Sequence, residues 1–325
     1  MPGCHSALWH RAPWDFGTLA LWHFGTLALW HLGTLLAVLT TGQDCQQSQS
    51  LARAAYEERR YDQSAQQFTR AIQECGPSAP LILALGQAQV LAQKPAEAVA
   101  TLDRIRTEDA EYIPALKVKA RALYLLRRDR EAEDTLKGAA ARAPADAEVP
   151  YHLGRIYYQQ ARYAEAAGAF RRATTLDPRA YAAWDNLGLA CEALGDTAQA
   201  QQHYLKSISL VYKDHPRYDV VYANFADLLI KLGEFQKAFD LAAEAAQRNP
   251  DEARNFFLGG KALLHLERSD VSVRWFEQAI KLNPDYPEPQ YLLSLAYRRL
   301  GRIEDADRML KLFQTAAARA PKERR

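Results

Sequence analysis

A repeat of 34 residues runs from Cys45 to Arg319 and limits the fold of this chain more than any other feature. With position one set at Ala147, units begin at Cys45, Ala79, Ile113, Ala147 and Tyr181. Four extra residues, His215 to Tyr218, follow the fifth unit, and the register resumes at Asp219, Ala253 and Pro287. Position eight then reads Ala52, Gly86, Ala120, Gly154, Gly188, Ala226, Gly260 and Ser294. Position twenty reads Ser64, Ala98, Ala132, Ala166, Ala200, Ala238, Ser272 and Ala306. All are small. If about one residue in three were small, chance would give this roughly once in tens of millions, so a repeat architecture is tested first.

Close helix packing explains the pattern. Ridges of one helix enter the grooves of the next at roughly 8–10 Å, and the near end of that range needs small side chains at the crossing. Positions eight and twenty are expected to face each other across two antiparallel helices. Position 24 supplies the bulk beside them: Phe68, Leu102, Leu136, Phe170, Tyr204, Phe276 and Leu310, with Ala242 the exception. Pro144, Pro178, Pro250 and Pro284 fall at position 32, where proline stops a helix it cannot continue.

On these residues the stretch Cys45 to Arg319 resembles the tetratricopeptide repeat family. The family's Trp at position four stands only as Trp184, and its Leu-Gly pair is intact at Leu85-Gly86, Leu153-Gly154 and Leu187-Gly188. The resemblance implies an all-α, right-handed superhelical solenoid of eight antiparallel helix pairs. It divides the chain into an apolar leader (1–44), units one to five (45–214), an insertion (215–218), units six to eight (219–320) and a basic tail (321–325). In such an array each unit contacts only its neighbours, so no single large core is required.

Composition fits a folded protein of ordinary polarity, at 48% hydrophobic and 25% charged. The leader holds only Arg11, Asp15 and Asp44 as charged residues, so without it the net balance moves from +2 to +3. That near-neutrality argues against nucleic acid, whose binders usually carry a strong basic excess.

The leader repeats itself: Phe16 to His23, again Phe24 to His31, then Leu32 to Leu39. About 20 apolar residues suffice to cross a bilayer as a helix, and Phe16 to Leu39 is long enough. Its last copy alone resembles the apolar part of an export signal, with Thr40, Thr41 and Gly42 as small residues for cleavage. Three readings stay open: an export signal, an uncleaved anchor, or a start placed too far upstream. The first two put the repeats outside the cytoplasm, periplasmic, secreted or membrane-anchored; the third leaves them cytoplasmic. Asp44 directly before Cys45 argues against a lipid-modified cysteine.

Cys45 opens the first helix of unit one and Cys75 closes its second. Antiparallel pairing brings those two ends together, which leaves either a disulfide bracing the end unit or two free buried thiols. Cys191, at core position eleven, is expected to be buried and inert. No pair of cysteines has zinc-ligand spacing, and there is no His-Glu-x-x-His. Gly259-Gly260-Lys261 lacks the upstream glycine and the Ser/Thr of a phosphate loop. His152, His203, His215 and His265 are scattered. The sequence therefore points to no enzyme, no cofactor and no metal.

First helices line the concave side of a helix-pair array, and positions two, five, nine and twelve share one stripe of each. In units three and four that stripe carries Lys117, Arg121, Tyr124, Tyr151, Arg155 and Tyr158. Arg grips carboxylates in a fork and Tyr offers a broad face with a polar tip, so the stripe reads as a peptide-binding groove; the alternative is an ordinary solvated face. Asn186 and Asn224 at position six, with Asp227 nearby, resemble two rungs of the peptide-holding asparagine ladder in O-linked N-acetylglucosamine transferase. The carboxylate clamp of co-chaperone repeats is incomplete, since Arg121 stands where Asn is expected.

The expected function is a non-catalytic adaptor that binds an extended peptide or protein segment in the groove. The alternative is a structural scaffold of an envelope or secretory assembly, using its ends and convex face. Contact with a membrane is expected only through an uncleaved leader. The insertion, with Pro216 as breaker, is expected to change curvature and part the array into lobes of five and three units. Leu310, Leu312 and Phe313 in unit eight, with no solvating helix after them, suggest self-association through that end.

Overall fold

The computed structural model describes residues 44–319, and the regular elements among them are all α-helices. Unit one is α1 (residues 44–57) and α2 (Tyr61–Cys75); unit two is α3 (Ala79–Leu91) and α4 (Pro95–Leu102). Units three to five are α5 (Tyr112–Leu125) and α6 (Asp129–Arg142), α7 (Glu148–Gln159) and α8 (Tyr163–Leu176), α9 (Tyr181–Ala193) and α10 (Thr197–Val211). Units six to eight are α11 (Val220–Lys231) and α12 (Phe235–Arg248), α13 (Ala253–His265) and α14 (Ser269–Leu282), α15 (Pro287–Arg299) and α16 (Ile303–Arg319). The sequence register therefore meets the start of each first helix to within one residue. The export, anchor and tail expectations fall on residues outside the described ones.

The helices gather into two compact bodies, residues 44–128 and residues 129–319. The bodies part between α5 and α6, within unit three, whereas the 215–218 insertion lies inside the second.

One turn recurs in all eight units. Position fifteen is left-handed throughout: Arg59, Gln93, Arg127, Ala161, Gly195, Gly233, Glu267 and Gly301 have φ between 57° and 81°. The next residue's N–H then reaches back to close the helix, as from Arg162 to the Tyr157 carbonyl at 2.9 Å and from Glu234 to the Leu229 carbonyl at 2.8 Å. This left-handed cap satisfies carbonyls that the helix end would otherwise leave unpaired. At five of the eight positions it is held by a residue with a Cβ, against the local preference.

Packing within a unit is set by position eight against position 24. A Cβ placed on Gly86 would lie 2.5 Å from the Leu102 side chain, and one on Gly154 would lie 2.6 Å from the Phe170 ring. Gly188 stands in the same relation to Tyr204 at 2.6 Å, and Gly260 to Phe276 at 2.7 Å. Phe170, Tyr204 and Phe276 are fully buried as a result. Position twenty joins the contact in unit one, where Ser64 Oγ donates to the Ala52 carbonyl at 2.9 Å.

In the first body, α1 fully buries only Ser48, Ala52 and Ala55 among the described residues. Covalent and polar ties compensate. Cys45 and Cys75 form a disulfide with Cα atoms 5.2 Å apart, and Ser48 Oγ donates to Glu74 Oε2 at 2.6 Å. Closing a loop of 30 residues contributes about 3–4 kcal/mol in the chain-entropy account. In the second body one apolar cluster runs from Tyr157 to Ala262 across the insertion. Arg248 holds the inserted turn, donating to the His215 carbonyl at 3.2 Å and the Tyr212 carbonyl at 3.3 Å. In unit eight, Phe313 is half-buried against Tyr291 with ring centroids 5.4 Å apart, whereas Leu312 is 45% exposed.

Two stability outcomes follow from this packing. Gly188→Ala should lower stability by about 1–3 kcal/mol by overpacking Tyr204, whereas Gly138→Ala, with nothing within 4 Å of the new Cβ, should raise it by about 0.5–1 kcal/mol. Urea titration followed by circular dichroism separates them, and equal effects would contradict the proposed contact. Ala161→Gly relieves the left-handed Cβ and should stabilise by about 0.5–1 kcal/mol, net of the greater freedom of glycine when unfolded. An unchanged or lower thermal midpoint would show that the turn carries no strain.

Candidate partner-binding faces

In the first body the first helices α1 and α3 enclose a cavity of about 430 Å³. Gln49, Arg53, Tyr56 and Glu57 line it from α1, and Pro80, Leu81, Ala84 and Gln87 from α3, with Phe68 and Cys75 also on its wall. α3 is APLILALGQAQVL, without a charged residue, because it sits between neighbours on both sides. α5 packs on α3 and carries Lys117 and Tyr124, both half-buried, and Arg121, which is exposed. Burial and then the neighbouring Tyr61 raise the Tyr56 phenol above its ordinary value, and the positive charge of Arg121 acts in the opposite direction.

In the second body α7 carries Tyr151, Arg155 and Tyr158. Tyr151 is half-buried against Phe170, with centroids 6.0 Å apart, and the exposed Arg155 guanidinium lies 5.9 Å from the Tyr151 ring. Tyr158 meets Tyr163 edge-on at 5.3 Å. Burial raises the Tyr151 and Tyr158 phenols. A cleft of about 510 Å³ lies beside Tyr158, lined by Leu189, Glu192, Leu228 and Lys231 among others.

The position-six amides are occupied within the chain. Asn186 Nδ2 donates to its own helix, to the Ala182 carbonyl at 2.8 Å. Asn224 is buried, with Nδ2 donating to Asp185 Oδ1 at 3.0 Å and Oδ1 accepting from Arg254 Nη1 at 2.9 Å. Both functions of that amide are therefore used before any peptide arrives. Asp227 pairs with Lys231 Nζ at 2.9 Å and lies 3.9 Å from Lys261 Nζ. Lys231 also bridges to Glu192 at 2.8 Å, so this part of the face is balanced in charge.

Asp185 centres that network. It is 1% exposed and also accepts from the Tyr218 hydroxyl at 2.9 Å. Burial pushes its carboxyl up to about 6, while the donors Asn224 and Tyr218 and the charge of Arg254 pull the other way. Cys191 is buried, and burial raises its thiol. Among the described residues no group of three or more His, Cys, Asp and Glu is placed to hold a metal.

Two groups were not singled out by reading the stripe in units three and four. Applied to unit one, the same positions give Gln49, Arg53 and Tyr56, so the signal for the α1–α3 cavity was present in the period. Asp185 sits at position five of unit five, but nothing local announces that Tyr218 and Asn224, 33 and 39 residues away, converge on it.

Asp185 makes a pH-dependent contribution. Its folded value lies above the ordinary 3.8, so its stabilisation is full below about pH 4 and lost as pH rises through about 6. Asp185→Asn removes that titration. The unfolding free energy of the native chain relative to this variant should therefore rise as pH falls between these values. Parallel pH curves for the two proteins would refute the assignment.

The comparisons with known proteins agree with this architecture. Tetratricopeptide repeat matches cover residues 148–180, 179–251, 224–287 and 257–324, together more than half of the 325 residues. The type IV pilus assembly protein PilF of Pseudomonas aeruginosa is 30% identical over 164 residues, 49% of this chain and 62% of that protein. The chain thus spans less than two thirds of that relative's length. A tetratricopeptide repeat protein from Parabacteroides merdae superposes with a TM-score of 0.57 at 18% identity, over 78% of this chain and 99% of that one. The crystal structure of the anaphase-promoting-complex hetero-tetramer Cut9–Hcn1 gives 0.61 at 13% identity, over 80% of this chain and 50% of the other. At those identities the structures show the fold alone. With its 34-residue register, eight helix pairs and matching repeats, the chain belongs to the tetratricopeptide repeat family, whose members mediate protein–protein interaction.

Proposed function

We propose that the chain is a non-catalytic adaptor that binds an extended segment of another protein on the exposed sides of its first helices. The observation that carries this reading is the state of the cations on those helices. Arg121 in the first body and Arg155 in the second are exposed and have no ion-pair partner among the described residues, and the Arg155 guanidinium lies 5.9 Å from the Tyr151 ring. Exposed guanidinium groups near broad aromatic faces suit peptide carboxylates and backbone together. The near-neutral balance of the repeats favours protein over nucleic acid as partner.

A second reading, a scaffold in an envelope assembly, draws on the 30% identity to a type IV pilus assembly protein and on the apolar surface of unit eight, where Ile303 and Leu312 are exposed. It places the repeats on the outer side of the cytoplasmic membrane or at that membrane. No described helix is long and apolar enough to cross a membrane, so attachment would fall to the leader. Self-association through α16 belongs to this reading.

One experiment separates them. The full chain, immobilised, is used to recover a partner from a lysate, and recovery is compared with Arg121→Glu/Arg155→Glu and with a chain ending before α16. Under the adaptor reading the double charge reversal lowers recovery at least about tenfold without changing helicity, since both residues are exposed. Recovery that survives the reversal but fails on loss of α16 would favour the scaffold.

A further inference from the structure

The Cys45–Cys75 bridge lies open to solvent. Cys75 is exposed and Cys45 half-buried, and Cys75 also stands in the wall of the cavity of about 430 Å³ between α1 and α3. A small thiol therefore reaches Cys75 Sγ without the fold opening first, whereas Cys191 is enclosed. The two sulfurs also differ in setting. Cys75 is the last residue of α2, which has no basic side chain in its final turn, so negative charge released there would meet the negative end of the helix dipole. Gln49 Nε2 donates to Cys45 Sγ at 3.4 Å and to Cys75 Sγ at 3.3 Å, so charge released on Cys45 keeps a donor. What the bridge holds is α1. That helix fully buries only Ser48, Ala52 and Ala55, Tyr56 is half-buried on the cluster of Ala65, Phe68, Leu81 and Leu85, and Leu51 is exposed. Its other ties to α2 are hydrogen bonds, from Ser48 to Glu74 and from Ser64 to the Ala52 carbonyl.

We propose that Cys45–Cys75 is a thiol-exchange site, at which an external dithiol attacks Cys75 and unlocks α1. The dithiol's first thiolate bonds to Cys75 Sγ, the bond between the two cysteines breaks, and its electron pair leaves on Cys45 Sγ. A mixed disulfide then stands on Cys75. The second thiol of the same molecule attacks its partner sulfur in that mixed disulfide, closes the oxidised dithiol and releases Cys75 as thiolate. Two electrons and two protons pass in all from the dithiol to the bridge, leaving two cysteine thiols. With the loop of 30 residues no longer closed covalently, α1 retains only its small buried face and its two hydrogen bonds. Its local opening uncovers Phe68 of α2 and Leu81 and Leu85 of α3. An external disulfide, reduced in exchange, restores the bridge and the packed end unit. This device is independent of the adaptor reading and holds whichever surface takes a partner.

The test uses the full chain without denaturant and has two readouts. In the first, brief exposure to 2-mercaptoethanol is stopped with excess iodoacetamide, and peptide mass spectrometry locates each product. The adduct should sit on Cys75 with the alkyl group on Cys45, exceeding the reverse arrangement at least about tenfold, while Cys191 stays unmodified. Equal amounts, the reverse order, or no adduct on either cysteine would overturn the site. In the second, hydrogen exchange is compared with and without dithiothreitol. Reduction should speed exchange of the α1 amides at least about tenfold and leave α13 and α14 unchanged. Unchanged α1 protection after complete reduction would overturn the lock. Cys45→Ser/Cys75→Ser should show the fast α1 exchange from the start and no response to dithiothreitol. A response that persists in this variant would mean that the reductant acts elsewhere, and would equally overturn the proposal.

Discussion

The close approach of a ring or branched side chain to a glycine holds units two, four, five and seven together. Position eight must be small because position 24 lies across it, at distances where a Cβ on the glycine would fall 2.5–2.7 Å from Leu102, Phe170, Tyr204 or Phe276. The pair fixes both the spacing and the rotational setting of the two helices, since neither can roll without lifting the ring from its seat. Unit six departs from this pairing. Its position 24 is Ala242 and its position eight is Ala226, both fully buried, and Phe225 of the same helix packs on Tyr204 of unit five with ring centroids 5.7 Å apart.

This constraint explains what could be read from residues alone. Small residues at positions eight and twenty recur because the contact recurs, so the period, the number of helix pairs and the starts of the first helices were all legible. The left-handed turn at position fifteen was not. Only Gly195, Gly233 and Gly301 announce it, while Arg59, Gln93, Arg127, Ala161 and Glu267 adopt the same backbone without a residue type that calls for it. There tertiary packing on both flanks overrides local preference. The face residues were legible in part. Their positions follow from the period, but whether a side chain is open or engaged depends on partners in other units, as Asn224 demonstrates by pairing with Asp185 and Arg254.

The two bodies use their first helices differently. In the first, α3 carries no charge, and Arg53 and Arg121 are exposed without an ion-pair partner among the described residues. In the second, Glu192, Lys231, Asp227, Lys261, Arg254 and Asn224 satisfy one another over much of the same positions. A charge already paired within a protein contributes little to an incoming ligand, because the ligand must replace what it displaces. Affinity should therefore concentrate where pairing is absent, around Arg53, Arg121 and Arg155.

The insertion and the buried carboxylate depend on each other. Asp185, enclosed at 1% exposure, would be expensive to ionise without donors, and one of its two side-chain donors is Tyr218, the last inserted residue. The inserted turn in turn is held by contacts to unit five: His215 lies over Tyr181 at 4.4 Å and Tyr218 meets the same ring at 4.8 Å. Four extra residues thus break the register of the chain without breaking the stack, since they bring their own anchor. A regular 34-residue spacing at this junction would remove Tyr218 and leave the Asp185 carboxylate with one donor fewer in the same apolar surroundings, so the interruption of the repeat is part of what makes that buried acid tolerable.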